Sequence, residues 1–502
     1  MKKTVNLIVI GVGPHSKRIY LPALMQLRTT CPLNISLVID LKQEAAGVQQ
    51  YLTAKDYRLP ALFVDPFKEV LPADLRLTLD TFVQENDIDG VIIATEPSVH
   101  RAYALWALEA GLHILMDKPI TTRQNVISDA VQAHGILTDY QELLHAYQAL
   151  QTERSTIFSV NVQRRYHPGF QQVLSLIREV AGMTNCPVTA IQSTHCDGQW
   201  RLPSEMVSQD YHPYNQGYGK LSHSGYHIFD MVSQFCQAPQ LPAKAPDAMQ
   251  VISSMVQPRG FIKQLPEQDY THYFRDDYET VKVYNDETLF GLFENYGEID
   301  AAILVRLLKE EENIANITIN LLHNSFARRN WIRPGIDLYK GNGRVKHEYH
   351  NIQQGPFQNI QIHSYQAKDK HTDNNETDYL PGGNNHFDIY VFRNIGILGG
   401  TQPLEIITMK DLANRHGIDN SKLLTEQAKG TVVKEFLDFI TGAIGLKDLR
   451  SNIDSHLQGV QLMSAAYLSH IHQQQALHPI IDIRHDRPQQ TCTAALQADY
   501  NG

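Results

Sequence analysis

No run in this chain approaches the ~20 apolar residues that a membrane-spanning helix needs, so no membrane association is expected. Basic residues are in short supply: 44 Lys and Arg stand against 54 Asp and Glu, a net charge of −10. Nucleic-acid binders carry a basic surface for phosphate contacts, and this balance argues against that class. Cysteine is scarce and scattered, at Cys31, Cys186, Cys196, Cys236 and Cys492, with no Cys-x-x-Cys pair. That usage points away from a disulfide framework and toward reduced thiols in a cytoplasmic setting. Repeats are absent, as is any linker that would cut off a third domain. The opening Met-Lys-Lys-Thr-Val-Asn-Leu-Ile-Val-Ile has the basic start of a signal peptide. Its apolar run is short and lacks a small-residue cleavage site, so it reads as a first strand.

With 502 residues, 42 % of them apolar, the chain has ample material for a core. Val5–Ile10 is a continuous apolar strand followed by Gly11-Val-Gly13-Pro-His-Ser16 and a helix through Leu24 and Leu27. Strand, glycine turn and helix in this order form a dinucleotide fingerprint, in which backbone amides and a helix N-terminus face a pyrophosphate. Ser16 replaces the third glycine and is small enough for close packing. Asp40 closes the next strand, Ile35–Asp40, after a lengthened loop at Thr29–Asn34. An acid there accepts hydrogen bonds from ribose hydroxyls and disfavours a 2′-phosphate, which favours NAD. Helix capping before Lys42–Gln49 is the structural alternative, and Lys17 and Arg18 keep NADP open.

Gly90–Ala94 is a further buried strand, ending in Thr95-Glu96-Pro97 and His100. Helical spacing at Leu105, Leu108 and Leu112 then leads to Leu-His-Ile-Leu-Met-Asp117-Lys118-Pro119-Ile120, a buried run that stops in an acid, a base and a proline. In an open parallel sheet, ligands sit beyond the carboxyl ends of the strands, so Lys118 is placed for chemistry. Val126–Ala149 reads as helices and Thr156–Val162 as a last strand. The expected division is a doubly wound α/β Rossmann domain over residues 1–160 and an α+β domain over 161–502, the latter for substrate binding and oligomerisation.

Gly11-Val-Gly13 with Leu21-Pro22-Ala23-Leu24, Ala94-Thr95-Glu96-Pro97…His100, Ala110-Gly111…Asp117-Lys118-Pro119, and Gln163-Arg164-Arg165-Tyr166-His167-Pro168 occur in that order. The sequence resembles the glucose–fructose oxidoreductase/inositol dehydrogenase (Gfo/Idh/MocA) family over about residues 1–235. Asp-Lys-Pro looks like that family's Glu-Lys-Pro signature. A second signature, Gly-Gly-x-Leu-x-Asp-x-Gly-x-His-x-x-Asp, is echoed by Tyr218-Gly219-Lys-Leu221-Ser-His223-Ser-Gly225-Tyr-His227-Ile-Phe-Asp230. One paired glycine is Tyr218, and His223 replaces the family's substrate-contacting acid. The resemblance implies Lys118 and His227 as the catalytic pair; with an ordinary pKa of about 6.5, His227 is the expected general base, and Lys118 is expected to hydrogen-bond the developing alkoxide. The resemblance places the cofactor along Gly11, Gly13, Ser16, Asp40, Thr95, Glu96, Pro97, His100, Asp117 and Lys118. Candidate substrate contacts are Arg165, Trp200, His223 and Asp230, with burial as the alternative for Trp200.

Alternation at Glu298–Leu307 and at Ile317, Ile319 and Leu321 predicts a large, mainly antiparallel open sheet, with a hairpin turn at Lys340–Arg344. In the resembled family such a sheet forms the subunit interface, implying a homo-oligomer, dimer or tetramer. Lys368–Asn385 is nearly devoid of apolar residues and reads as a mobile surface loop or a lid. His386–Leu398, Val432–Ala443 and Leu457–His472 are predicted helical. The spacing of His195, His212, His223 and His227 matches no standard ligand pattern, so no metal is expected. The implied activity is hydride transfer between NAD, or NADP, and a secondary alcohol or ketone carbon of a sugar or polyol. A non-catalytic NAD(H) or sugar sensor on the same fold is the alternative.

Overall fold

The computed structural model describes residues 4–209, 212–333, 343–368, 376–418 and 423–484. Strands β1 (Val5–Ile10), β2 (Leu33–Leu41), β3 (Ala61–Val64), β4 (Gly90–Ile93), β5 (His113–Met116) and β6 (Phe158–Val160) form a wholly parallel sheet, ordered β3-β2-β1-β4-β5-β6. Every residue of β4 and β5 is buried, as expected for continuous apolar runs covered on both faces. Strand order reverses at β1, so the crevice beyond the carboxyl ends of β1 and β4 is the natural ligand site.

Part of the cover comes from far along the chain. The helix Leu424–Ile440 buries Ala428, Val432, Val433, Phe436 and Leu437 in one cluster with Val5, Leu7, Val9, Ile92 and Leu115 of the first sheet. The second half of the sequence thus completes the hydrophobic layers of the first.

Nine strands build the second sheet: β7 (Ala190–Gln199), β8 (Ala248–Val256), β9 (Asp300–Lys309), β10 (Glu312–Asn324), β11 (Lys346–Gln354), β12 (Gln358–Gln366), β13 (Asp388–Arg393), β14 (Leu404–Thr408) and β15 (Ile481–Arg484). Their order is β14-β13-β12-β11-β7-β10-β9-β8-β15, and only β7 and β10 pair in parallel. In β9, Ala301, Ile303, Val305 and Leu307 are buried while Ala302 and Leu304 face outward. That alternation marks a sheet with one covered face. The helices Pro168–Thr184, Tyr226–Gln237 and Leu457–Gln474 lie on the covered face. The expected class, a Rossmann sheet followed by a large, mainly antiparallel one, is the class found.

The helix expected over His386–Leu398 is a correction. Asp388–Arg393 is strand β13, paired with β12 and β14, and only Ile395–Leu398 forms a single helical turn. Ile389 and Val391 alternate inward, a two-residue period that fits the sheet between two partner strands. Residues 340–342 of the expected hairpin turn lie outside the described residues, as do 369–375 of the polar stretch. The described ends of that stretch are anchored: Lys368 Nζ meets buried Asp378 at 2.7 Å, and Asn385 accepts from the Leu424 amide at 3.0 Å. Among the described residues no helix is long and apolar enough to cross a membrane.

Candidate active site

A cavity of about 710 Å³ opens at the carboxyl ends of β1, β4 and β5 and is walled on its other side by the second sheet. Its floor is backbone. Gly11 adopts φ +91, and a Cβ there would lie 2.5 Å from the Ala94 carbonyl oxygen, so only glycine lets the two loops touch. A Cβ on Gly13 would meet nothing within 4 Å; the loop faces open space there. Asp40 accepts the Val12 amide at 2.8 Å and the Leu41 amide at 2.7 Å, and still lines the cavity. A carboxylate has about four lone-pair sites, which leaves Asp40 capacity for ribose hydroxyls.

Asp117 and Lys118 leave β5 side by side. Burial favours a protonated Asp117, but His15 hydrogen-bonded to it, with Lys118 and Lys429 nearby, brings it down to about 2. Tyr20 donates to its other oxygen at 3.1 Å. Lys118 crosses the cavity and donates to the His223 carbonyl, tying the first sheet's loop to the turn before the His227 helix. Burial depresses its ammonium to about 8, against the opposing pull of Asp117. His227 lies in the same cavity, with Nδ1 buried and without a hydrogen-bond partner among the described residues. Burial, then the Arg164 and Lys118 charges, hold its imidazole well below the usual range. His223 is pushed down to about 3 by burial and by Lys118. Both rings are therefore neutral at pH 7.

Of the residues singled out in the sequence, Gly11, Gly13, Asp40, Thr95, Glu96, Pro97, Asp117, Lys118, His223 and His227 all line this cavity. Ser16 and His100 stand behind it. The Ser16 hydroxyl donates to the Gly11 carbonyl, and His100 bridges the Pro119 and Thr95 carbonyls at 2.9 and 3.2 Å. They brace the loops from outside the cavity lining.

Three expected substrate contacts lie away from the cavity wall. Arg165 and Asp230 pair with each other, Nη2 to Oδ1 at 2.6 Å, and Arg165 also donates to Arg450 O and Ser455 Oγ. Both are buried in the join between the halves, where an unpaired charge would be costly and each neutralises the other. Trp200 packs against Tyr270 and Phe274, with ring centroids at 6.1 and 5.6 Å, and is absent from the cavity wall.

Other residues take part that the sequence reading passed over. Tyr218, the departure from the paired glycines, is buried and hydrogen-bonds Glu96 across the cavity mouth. Arg164, the neighbour of Arg165, is the one on the cavity wall, in a two-point pair with Glu348 at 2.8 and 2.6 Å. Lys429, on the returning helix, lines the cavity and is pushed down to about 7 by burial, despite the attraction of Asp117. The double arginine signalled the first; no short pattern marks Lys429.

This arrangement fits a dinucleotide: amides and an open glycine at the turn, an acid beyond β2, and a cavity of suitable size leading to Lys118. Among the described residues no group of three or more His, Cys, Asp or Glu is placed to hold a metal ion.

Residues 5–140 match the family model described as the oxidoreductase family, NAD-binding Rossmann fold, GFO_IDH_MocA. The match bears out the resemblance and the nicotinamide cofactor over that domain. Among curated proteins no sequence matches significantly. Among solved structures, the chain is similar to a levoglucosan dehydrogenase in complex with NADH and levoglucosan, at 13 % identity and TM-score 0.57, covering 96 % of this chain and 99 % of that one. It is similar to an oxidoreductase from Agrobacterium radiobacter in complex with NAD+, L-tartaric acid and magnesium, at 11 % identity and TM-score 0.54, covering 96 % and 98 %. An aldose-aldose oxidoreductase from Caulobacter crescentus complexed with glycerol is similar at 13 % identity and TM-score 0.52, covering 96 % and 100 %. At these identities the likeness is one of fold.

Proposed function

We propose, from an N-terminal domain of the Gfo/Idh/MocA oxidoreductase type, that this chain moves a hydride between NAD, or NADP, and a CH–OH carbon of a sugar or polyol. The observation that carries the reading is the meeting of Lys118 and His227, 109 positions apart in the sequence, in the cavity that begins at Gly11 and Gly13. When bound, the nicotinamide supplies the two-electron chemistry. The chain supplies position and a proton acceptor. A group whose pKa lies near the working pH exchanges protons most effectively, and Lys118, at about 8, meets that condition. The substrate hydroxyl proton therefore passes to Lys118 Nζ and not, as the sequence suggested, to His227, whose imidazole burial holds well below its ordinary range. His227, kept neutral by burial, orients the hydroxyl by hydrogen bonding. Asp117 holds its charge beneath Lys118 and steadies the ammonium once formed.

The dinucleotide-binding residues serve NAD by preference, since Asp40 would face a 2′-phosphate with like charge. The outward face of the second sheet, with Leu304, Tyr365, Phe392 and Ile406 exposed, is proposed as the contact between subunits of a homo-oligomer. A panel of polyols, aldoses and sugar acids with NAD and NADP, followed by reduced-nicotinamide absorbance, tests the activity. Failure of every substrate class, with cofactor binding intact, would shift the reading to a sensor.

A further inference from the structure

We propose that the substrate carries an anionic group, a carboxylate or a phosphate, held on the second-sheet wall of the cavity by Lys346 with Arg344 beside it. This rests on the oxidoreductase reading and names the class of molecule it acts on.

The charges along that wall are unevenly matched. Two acids, Asp197 and Glu348, stand on neighbouring strands β7 and β11, and each already has its cations. Asp197 meets Lys220 at 2.6 Å and Arg344 at 3.2 Å, while Glu348 takes both arms of Arg164 and lies 3.0 Å from His350. Lys346 has none. Among the described residues its ammonium makes no hydrogen bond or ion pair, although it opens β11 directly on the cavity. Burial, followed by repulsion from Arg164, depresses it to about 8 against the pull of Glu348 and Asp197, both already engaged by other cations, so it is still largely charged at pH 7. Lys346 is half-buried, and a charge partly withdrawn from water with no hydrogen-bonded anion is costly. A ligand anion removes that cost, whereas a neutral sugar does not.

Position matters as much as charge. Arg164 acts electrostatically on both Lys118 and Lys346, and all three line one cavity. The proposed substrate is a small acid with its alcohol carbon at Lys118 and its anionic end at Lys346. Arg344 donates to the Asp197 carbonyl at 2.7 Å, which holds its guanidinium beside the same wall.

Calorimetry on the NADH-loaded protein tests this, with D-glucose, D-glucuronate, D-glucose 6-phosphate and inorganic phosphate as probes. At least one anion is expected to bind about ten-fold or more tightly than D-glucose, the scale of one charge-assisted hydrogen bond. Glucuronate against the two phosphates decides between a carboxylate and a phosphate. Lys346→Met and Lys346→Gln should erase the difference, and Lys346→Arg should keep most of it. The proposal is overturned if D-glucose binds as tightly as every anion, or if Lys346→Met and Lys346→Gln bind the anions as the parent does. The two readings fail separately. Lys346-dependent binding without turnover of any substrate counts against hydride transfer alone. Turnover of neutral sugars without such binding counts against the anion site alone.

Discussion

The two walls of the cavity hold their charges in different ways. On the first-sheet side, Asp40 is answered by backbone amides at Val12 and Leu41, and Asp117 by His15 and Tyr20 close to the same glycine loop. On the second-sheet side, Asp197 and Glu348 are answered by side chains from distant elements. The Arg164–Glu348 pair spans 184 positions. The first wall rests on a backbone device at the glycine turn, to which Asp117 is tied by two side chains that follow that turn. The other is a set of long-range pairings that a single substitution unbalances. A cofactor common to many reactions suits the first construction, and a particular substrate suits the second.

Lys118 is the residue that joins the walls, so its loss should produce the largest effect. Lys118→Met is expected to lower kcat by about 10²–10⁴-fold while leaving the Kd for NADH, measured by fluorescence, within a few-fold. Turnover at the parental rate would separate the walls chemically. Next comes the buried pair that the cavity does not use. Arg165→Met should cost about 3–5 kcal/mol in urea unfolding by stranding Asp230, and Arg165→Met/Asp230→Leu should recover much of it. A raised KM with unchanged stability would return Arg165 to the substrate.

Gly11→Ala tests the backbone wall. The strain should lower stability by about 1–3 kcal/mol and weaken NADH binding, read from Tm and Kd together. Smaller effects are expected from pH. Alcohol oxidation needs the neutral amine, so its rate should rise through about pH 8, and ketone reduction should fall through the same range. Lys118→Arg should remove this limb and His227→Asn should keep it. A limb that disappears only in His227→Asn would make the imidazole the proton acceptor. The smallest change belongs to Asp40→Ser, expected to narrow the preference for NAD over NADP by about ten-fold. Unaltered discrimination would leave Asp40 as a clamp on the Val12 and Leu41 amides.

The contrast between the walls also governs how far each could be read in advance. Gly11, Gly13, Asp40, Thr95–Pro97 and Lys118 follow directly on buried strands, and strand ends in a parallel sheet share one rim. Their convergence on the cavity was therefore legible. Arg164 and Arg165 were not separable in this way. They are consecutive in one short helical turn, Gln163–Tyr166, and adjacent positions on a helix do not share a face. Arg164 meets Glu348 on the cavity wall, while Arg165 meets Asp230 in the join between the halves. Strand β13 failed for a related reason: its short alternating stretch suits a helix end until β12 and β14 lie on either side.

Composition and local pattern alone determined the Rossmann sheet, its glycine turn and the lysine at the end of β5, because burial and turn chemistry act over a few residues. Only the tertiary structure decided that Leu424–Ile440 returns to cover the first sheet, which arginine reaches the cavity, and that Lys346 stands there with no hydrogen-bonded or ion-paired partner among the described residues. Those outcomes depend on strand register and on which distant side chains neutralise one another, and no stretch of the chain contains both members of such a pair.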